Sequence, residues 1–439
     1  MKHIVIVTIS HQAKDVRLYY KLAKTLSQRY NVTILHNQDE VHSDDESINL
    51  VRLNIGNKLA FIGGVVGYLV TTKPEIVVIV EPILLTLTKL YPFTKYVYDC
   101  HEFFGLAQRE KSADEFTQKR DSYIHTKLEK STIPNLHACI TVNEILTDHY
   151  SQLGVNTVTI PNFPIIKSRE RLVESKRYDF IYLGGLSDAR GIKEIIRAAS
   201  EIKEETSNLK ILIVGKEQIE GFSNETRELI KSLDLTKNIE IRSAVPYQEV
   251  AKLLAQAKCG ICMLSPKTVR YKYALPIKLL EYLDAGLLVI TNDFPYNKKI
   301  YNSSEGIFTS KFSVEDIASN MRKALLVEPT EAEQHQLRMR EMIDSKYSWN
   351  LLEPLLLDTF DNLVSSSRRA LMLAYFFPPL GGAGVQRPLK FVKYSKNLGW
   401  NIDTLTIKDT VFHSYDDTFL KEINSDILRA GSWDIMSIL

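Results

Sequence analysis

Cysteine is scarce in this chain. The four residues Cys100, Cys139, Cys259 and Cys262 are too few and too scattered among 439 positions to build a disulfide framework, which favours a reducing, cytoplasmic setting. An excess of charge of either sign is missing too. Lys and Arg number 55 against 53 Asp and Glu, a formal charge of +2, and no basic block stands out to neutralise a row of phosphates, so nucleic acid is excluded as a partner. No apolar run reaches the roughly 20 residues that span a bilayer. The apolar stretch 59–72 falls short, and the N-terminal residues 1–7 form a short β-type run without the features of a signal peptide. Cys259 and Cys262 have metal-ligand spacing, but they lie in an apolar run with no second pair to complete a zinc site, so two buried strand cysteines are expected.

What is present is the composition of a soluble globular chain, 44% apolar and 25% charged, long enough for two domains and a remainder. Short β-branched runs alternate with amphipathic stretches of helical length, the pattern of βαβ units on parallel sheets, and the class is α/β. Strands are predicted at 4–8, 32–35, 76–80, 96–98, 138–142 and 158–160, with a helix over 16–28. Two prolines, Pro161 and Pro164, and the charged stretch 167–177 break the pattern. A second series of strands follows at 180–183, 211–214, 239–241, 260–264 and 288–291.

The division expected is a first doubly wound domain over 1–163, a linker over 164–178 and a second domain of the same build over 179–345. An amphipathic helix over 346–365 would pack back on the first domain. Residues 369–439 then repeat the strand–helix–strand order of positions 4–35 and stop, an internal repeat cut short. The expectation is that the natural chain continues into a second, similar unit; the alternative is a tail packing on the first one.

The strongest local signal is residues 274–286, ALPIKLLEYLDAG, ahead of an apolar strand. Pro276 suits the first turn of a helix, Gly286 its end, and Lys278, Glu281 and Asp284 recur every three positions along one side. A helix N-terminus gathers free N–H groups for a diphosphate, and a carboxylate further along can accept both hydroxyls of a ribose. The same spacing also fits an exposed helix with surface ion pairs.

This stretch resembles the donor-site helix of family 4 retaining glycosyltransferases of the GT-B fold, in which two Rossmann-like domains face each other across a cleft. In that family the glutamate equivalent to Glu281 holds the ribose. Residues 180–193, FIYLGGLSDARGIK, resemble the element that meets the donor diphosphate, with Arg190 at the place of a basic phosphate ligand and Gly184 and Gly185 allowing close approach. Lys278, Tyr273 and Pro276 complete the donor set that the resemblance implies. Residues 96–102, YVYDCHE, resemble the D-x-H-E stretch of these enzymes, which would turn His101 toward the reacting sugar, with Asp99 and Glu102 beside it. Asp15 and Arg17 open the first long helix where the family has a charged or glycine-rich cleft loop; simple capping by Asp15 is the other reading.

The match departs from the family at two positions. Many members carry two glutamates eight positions apart, and the earlier one is Tyr273 here, as is common in the P-x-K-x-x-E-Y subfamily; an arginine often follows the first glycine, where this chain has Gly185. The tail segment 375–387, YFFPPLGGAGVQR, resembles the opening strand and glycine-rich loop of another such enzyme.

The resemblance implies a hexosyltransferase that moves a hexose-type sugar from a nucleotide-diphosphate sugar to a glycan or polyprenyl-linked acceptor, in bacterial surface polysaccharide biosynthesis. UDP-sugar is the leading donor, with GDP- or dTDP-sugar as alternatives. It also implies retention of configuration and no metal or other cofactor, and the sequence contains no D-x-D triplet to tie a cation to the diphosphate. His101 and Arg190 are the catalytic candidates. Peripheral contact with the cytoplasmic face of the inner membrane would use residues 59–72 with Lys58 and Lys73; a buried helix is the alternative there. The rival functions are a nucleotide-sugar 2-epimerase of similar architecture and an inactive nucleotide-sugar-binding partner subunit.

Overall fold

The computed structural model describes residues 2–38, 43, 45–101, 123, 126–166, 175–206, 208–218, 220–268, 271, 276–294, 306–365, 368–396, 400–408, 415–423 and 426–431. Glu102, Tyr273 and much of the expected linker therefore lie outside the described residues. The chain divides into two compact units, Met1–Thr359 and Phe360–Leu439.

The first unit holds two parallel sheets. In chain order the first contains β1 (His3–Val7), β2 (Asn31–His36), β3 (Ile48–Arg52), β4 (Ile76–Ile79), β5 (Lys95–Cys100), β6 (Ala138–Thr141) and β7 (Thr157–Thr159), arranged 3-2-1-4-5-6-7. The second contains β8 (Tyr178–Leu183), β9 (Ile211–Val214), β10 (Ile239–Arg242), β11 (Ala257–Cys262), β12 (Leu288–Asn292) and β13 (Ile307–Ser310), arranged 10-9-8-11-12-13. Both orders reverse beside their first strand, the signature of a doubly wound Rossmann-like sheet. The central strands are buried, β4 along its whole length and β1 from Ile4 onward, because helices cover both faces.

Helix α1 (Val16–Ala23, continuing as Lys24–Leu26) follows β1, and its first eight residues are wound as a π-helix rather than as the plain amphipathic helix predicted over 16–28. The wider winding accompanies two buried cations on it, Arg17 and Lys21. Helix α2 (Lys58–Thr72) seats Phe61, Val65 and Leu69 in the core of the first sheet while Leu59 and Val70 stay exposed. Among the described residues no helix is long and apolar enough to cross a membrane.

In the second half α3 (Ile192–Ile202), α4 (Phe222–Ser232), α5 (Tyr247–Ala255), α6 (Ile277–Asp284), α7 (Val314–Leu325) and α8 (Pro329–Lys346) enclose the sheet. One face carries α3, α4 and α7, the other α5, α6 and α8. Cys259 and Cys262 are buried strand residues of β11. Three boundaries differ from expectation. β8 starts at Tyr178, inside the predicted linker; α8 runs to Lys346; and the helix expected over 346–365 is a single turn, Trp349–Leu351, followed by α9 (Glu353–Ser365).

The second unit has its own parallel sheet, β14 (Arg368–Leu373), β15 (Trp400–Lys408) and β16 (Ile427–Gly431) in that order, with α10 (Ala383–Ser395) crossing from β14 to β15.

Candidate active site

Ligands of doubly wound sheets sit outside the carboxyl ends of the strands, where the strand order reverses. In the second sheet that point lies between β8 and β11, and the chain leaves β8 through Gly184 and Gly185. Gly184 has φ +144°, and a Cβ there would collide with the end of the Lys278 side chain. A Cβ on the neighbouring Gly215 would run into the Gly184 carbonyl. The backbone is stripped bare here so that a lysine can lie across it.

Lys278 donates to the Tyr182 hydroxyl at 3.1 Å, with its ammonium 4.7 Å from the centre of that ring. Burial, helped by Arg190, pulls its pKa down to about 8, against the pull of Cys262 and Glu281. Arg190 closes the turn Asp188–Arg190, and its guanidinium stacks 4.8 Å from the centre of the Tyr271 ring. Among the described residues its buried Nε has no hydrogen-bond partner, a donor that a ligand oxygen would satisfy. Glu281 is half-buried one turn into α6. Burial raises its carboxyl pKa, and Lys21 and then Lys278 oppose that.

Pro276 is the N-cap of α6, in extended backbone with φ −71° and ψ 112°, and not a first-turn residue; among the described residues no side chain takes up the leading N–H groups of the helix. Gly286 follows the helix end at φ +72°, as predicted. Asp284 faces Arg340 and Asp344, and burial lifts its pKa to about 6. It lines a cavity of about 640 Å³ together with Pro164, Tyr247, Glu281 and Arg340. The two cations, the open N–H groups and the carboxylate could together receive a diphosphate and its ribose.

In the first sheet Asp99 is the penultimate residue of β5, wholly buried. Arg17 grips it from both sides, Nε to Oδ2 at 3.0 Å and Nη2 to Oδ1 at 2.6 Å, and Arg17 Nη1 also donates to the Ile160 carbonyl at 3.1 Å. Burial alone would raise the Asp99 pKa, but Arg17 and His101 outweigh it and hold the carboxyl far below its ordinary range. An ionised carboxylate only accepts, so His101 Nε2 donates to Asp99 Oδ2, at 2.6 Å. That bond sets the ring's orientation and leaves Nδ1 for other partners.

Asp15 does cap α1, accepting from the backbone of Arg17 and Leu18, and it also pairs with His11 Nδ1 at 3.5 Å. The His11 ring stands 5.7 Å from that of His101, edge to face. Burial lowers the His11 pKa, but Asp15, Glu81 and Asp99 raise it more, for a net increase. Glu81 anchors the loop carrying His11 by accepting from Thr8 Oγ1 and from the backbone of Ile9 and Ser10.

Sequence reasoning missed His11, Glu81 and Lys21. Glu81 directly follows a predicted strand and could have been found by its position; nothing marks His11 or Lys21 locally. The structure brings Gly184, Arg190, Lys278 and Glu281 into one cluster and Asp15, Arg17, Asp99 and His101 into another. Gly185 faces Gln218 instead.

Comparison with known proteins bears on the fold and on the second half of the chain. Sucrose-phosphate synthase from Thermosynechococcus elongatus superposes with a TM-score of 0.65 at 14% identity, covering 84% of this chain and all of that one. HepE from Anabaena, solved in complex with UDP-glucose, gives 0.62 at 13% identity, covering 82% and 100%. An uncharacterized glycosyltransferase of Methanocaldococcus jannaschii, MJ1059, is 25% identical over 211 residues, 42% of this chain, and the match spans about half the length of that relative. The fold is thus GT-B, two Rossmann-like domains with a partial third sheet. Residues 165–341, which contain the Gly184–Arg190–Lys278–Glu281 cluster, match the family model described as Glycosyl transferases group 1, and the family match and the relative together support a transferase.

Proposed function

We propose that the chain is a retaining, metal-independent hexosyltransferase that moves a sugar from a UDP-sugar to a glycan or lipid-linked acceptor, with GDP- and dTDP-sugars as alternative donors. The observation that carries the reading is the cluster at the carboxyl end of β8, where Arg190, with a buried and partnerless Nε, and Lys278 flank the bare backbone of Gly184 beside the Glu281 carboxylate. HepE, similar in fold, was solved with UDP-glucose, which favours the uridine donor.

In this reading Glu281 accepts the ribose hydroxyls. Arg190, Lys278 and the open start of α6 stabilise charge as it develops on the departing diphosphate. His101, oriented by Asp99, meets the transferred sugar from the first domain, and closure of the two domains excludes water. The acceptor side is residues 1–163, the hinge 164–178, the donor side 179–345, and residues 346–365 pack back on the acceptor side, while 369–439 form a further segment of similar strand–helix–strand build. The setting is cytoplasmic surface-polysaccharide assembly, with Leu59 and Val70 of α2 available to touch the membrane that carries the acceptor.

The test is thermal stabilisation by UDP, GDP, dTDP and their sugars, with and without EDTA, for the wild type and Glu281→Ala. Binding to the folded state alone raises stability by RT ln(1 + [L]/Kd). An EDTA-insensitive shift for one nucleotide, lost in the variant, is expected; no shift with any nucleotide overturns the donor site, and a shift abolished by EDTA overturns metal independence.

A further inference from the structure

Two tyrosines cross between β8 and α6, in opposite directions. Tyr182 of β8 is 1% exposed, and its ring belongs to the core under α3 and α7. Its hydroxyl nevertheless reaches the end of the sheet, where it donates to the Gly185 carbonyl at 2.7 Å and accepts from the Lys278 ammonium at 3.1 Å. Tyr282 of α6 is wholly buried and accepts at 2.9 Å from the backbone N–H of Leu183. Its ring lies where a Cβ on Gly260 of β11 would otherwise go.

The two crossings differ in what they hold. Tyr282 receives a backbone group, which seats α6 against β8. Tyr182 receives a charge. Helix α6 packs on one face of the sheet and the Tyr182 ring on the other, so Lys278 and the hydroxyl meet over the strand end, where Gly184 has no side chain to separate them. An ammonium on a flexible four-carbon stem has many places to go in an open site. Here one hydrogen bond and the ring face, with its centre 4.7 Å away, confine it. Burial pushes the Tyr182 pKa up, so the hydroxyl keeps its proton; with that proton on Gly185, it offers Lys278 only lone pairs. Among the described residues Lys278 donates to no other group, which leaves two of its three N–H bonds for a ligand.

We propose that Tyr182 is a positioning residue for the donor: its hydroxyl fixes the Lys278 ammonium over Gly184, where the diphosphate arrives, and ties that point to the backbone of Gly185. The inference rests on the donor-site reading above, in which Lys278 meets the diphosphate. A lysine already held in place loses little freedom when the nucleotide binds, so the hydroxyl strengthens binding without touching the ligand.

The experiment is calorimetric titration of the full chain with UDP, GDP and dTDP. It compares the wild type with Tyr182→Phe, Tyr282→Phe, Lys278→Met and the double variant carrying Tyr182→Phe and Lys278→Met. For the nucleotide that the wild type binds, Tyr182→Phe should weaken affinity about tenfold, the size of one lost hydrogen bond to a charged group, although it keeps the ring. In the Lys278→Met background the same change should alter affinity by less than about twofold, because the interaction is already gone. Tyr282→Phe should lower Tm, since it leaves the Leu183 N–H unpaired, but should leave affinity within about twofold because no charge is released. Three results would each overturn this inference and leave the donor site standing: unchanged affinity in Tyr182→Phe, equal losses in the two tyrosine variants, or the full tenfold loss persisting without Lys278. Where Lys278→Met binds too weakly to titrate, the two tyrosine variants decide alone. A wild type that binds none of the three nucleotides overturns the donor site itself, and this inference with it.

Discussion

Trp349 donates its indole N–H to the hydroxyl of Thr25 at 3.0 Å, although 324 residues separate them. Its backbone N–H donates to the Pro164 carbonyl at 2.8 Å. One fully enclosed side chain therefore fastens the first helix of the chain while its own backbone fastens the segment at Pro164. Trp349→Ala should cost about 3–5 kcal/mol, the range for truncating a buried aromatic, whereas Thr25→Val should cost about 1–3 kcal/mol by leaving the indole unpaired. Urea unfolding followed by circular dichroism measures both; equal costs would mean that packing around Trp349 contributes little.

Asp99→Asn leaves Arg17 buried beside a neutral partner, at about 3–5 kcal/mol. The sign with pH is definite. Asp99 has its pKa depressed by folding, so the stability it contributes is fully present above its unfolded value, near 4, and is lost as pH falls below that toward its folded value. The wild type should therefore lose stability more steeply than Asp99→Asn between about pH 4 and 2. Parallel curves in an acid titration at fixed urea would show that the carboxylate is not the acid-sensitive group.

Gly184 and Gly185 are adjacent, yet their alanine variants should behave differently. At Gly184 a side chain meets both a positive φ and Lys278, so Gly184→Ala should lose about 1–3 kcal/mol and most nucleotide binding. At Gly185 it meets only the movable end of Gln218, and stability should change by less than about 1 kcal/mol. Thermal shifts with and without UDP separate the two.

Arg190→Met should lower transfer by about 10²–10³-fold, the usual effect of removing one group that stabilises developing charge. Its effect on Tm should be small, because the lost stacking on Tyr271 is offset by removal of a buried Nε that has no partner among the described residues. A large drop in Tm with turnover intact would make Arg190 a structural residue.

The parts of this molecule that were legible in its sequence are those governed by local pattern. Central strands such as β1, β4 and β9 read directly, since burial on both faces demands an unbroken β-branched run. The edge strands β3 and β13 escaped notice because each is only partly buried and mixes polar with apolar residues. Lys278 and Glu281 were legible because they share one helix. Lys21, His11 and Glu81 were not, since their partners are supplied by chain distant in sequence. The winding of α1 was hidden for the same reason: Arg17 and Lys21 look like surface cations until Asp99 and Asn162 arrive to receive them.

The four thiols described above have a practical consequence. All are buried, and burial raises the pKa of each, that of Cys100 to about 12. Alkylating reagents act on thiolates, so at neutral pH the native chain should stay unlabelled. A single cysteine introduced on each side of the Pro161–Pro164 break would then be the only reactive pair, and two dyes attached there would report domain closure by energy transfer without removing any natural cysteine.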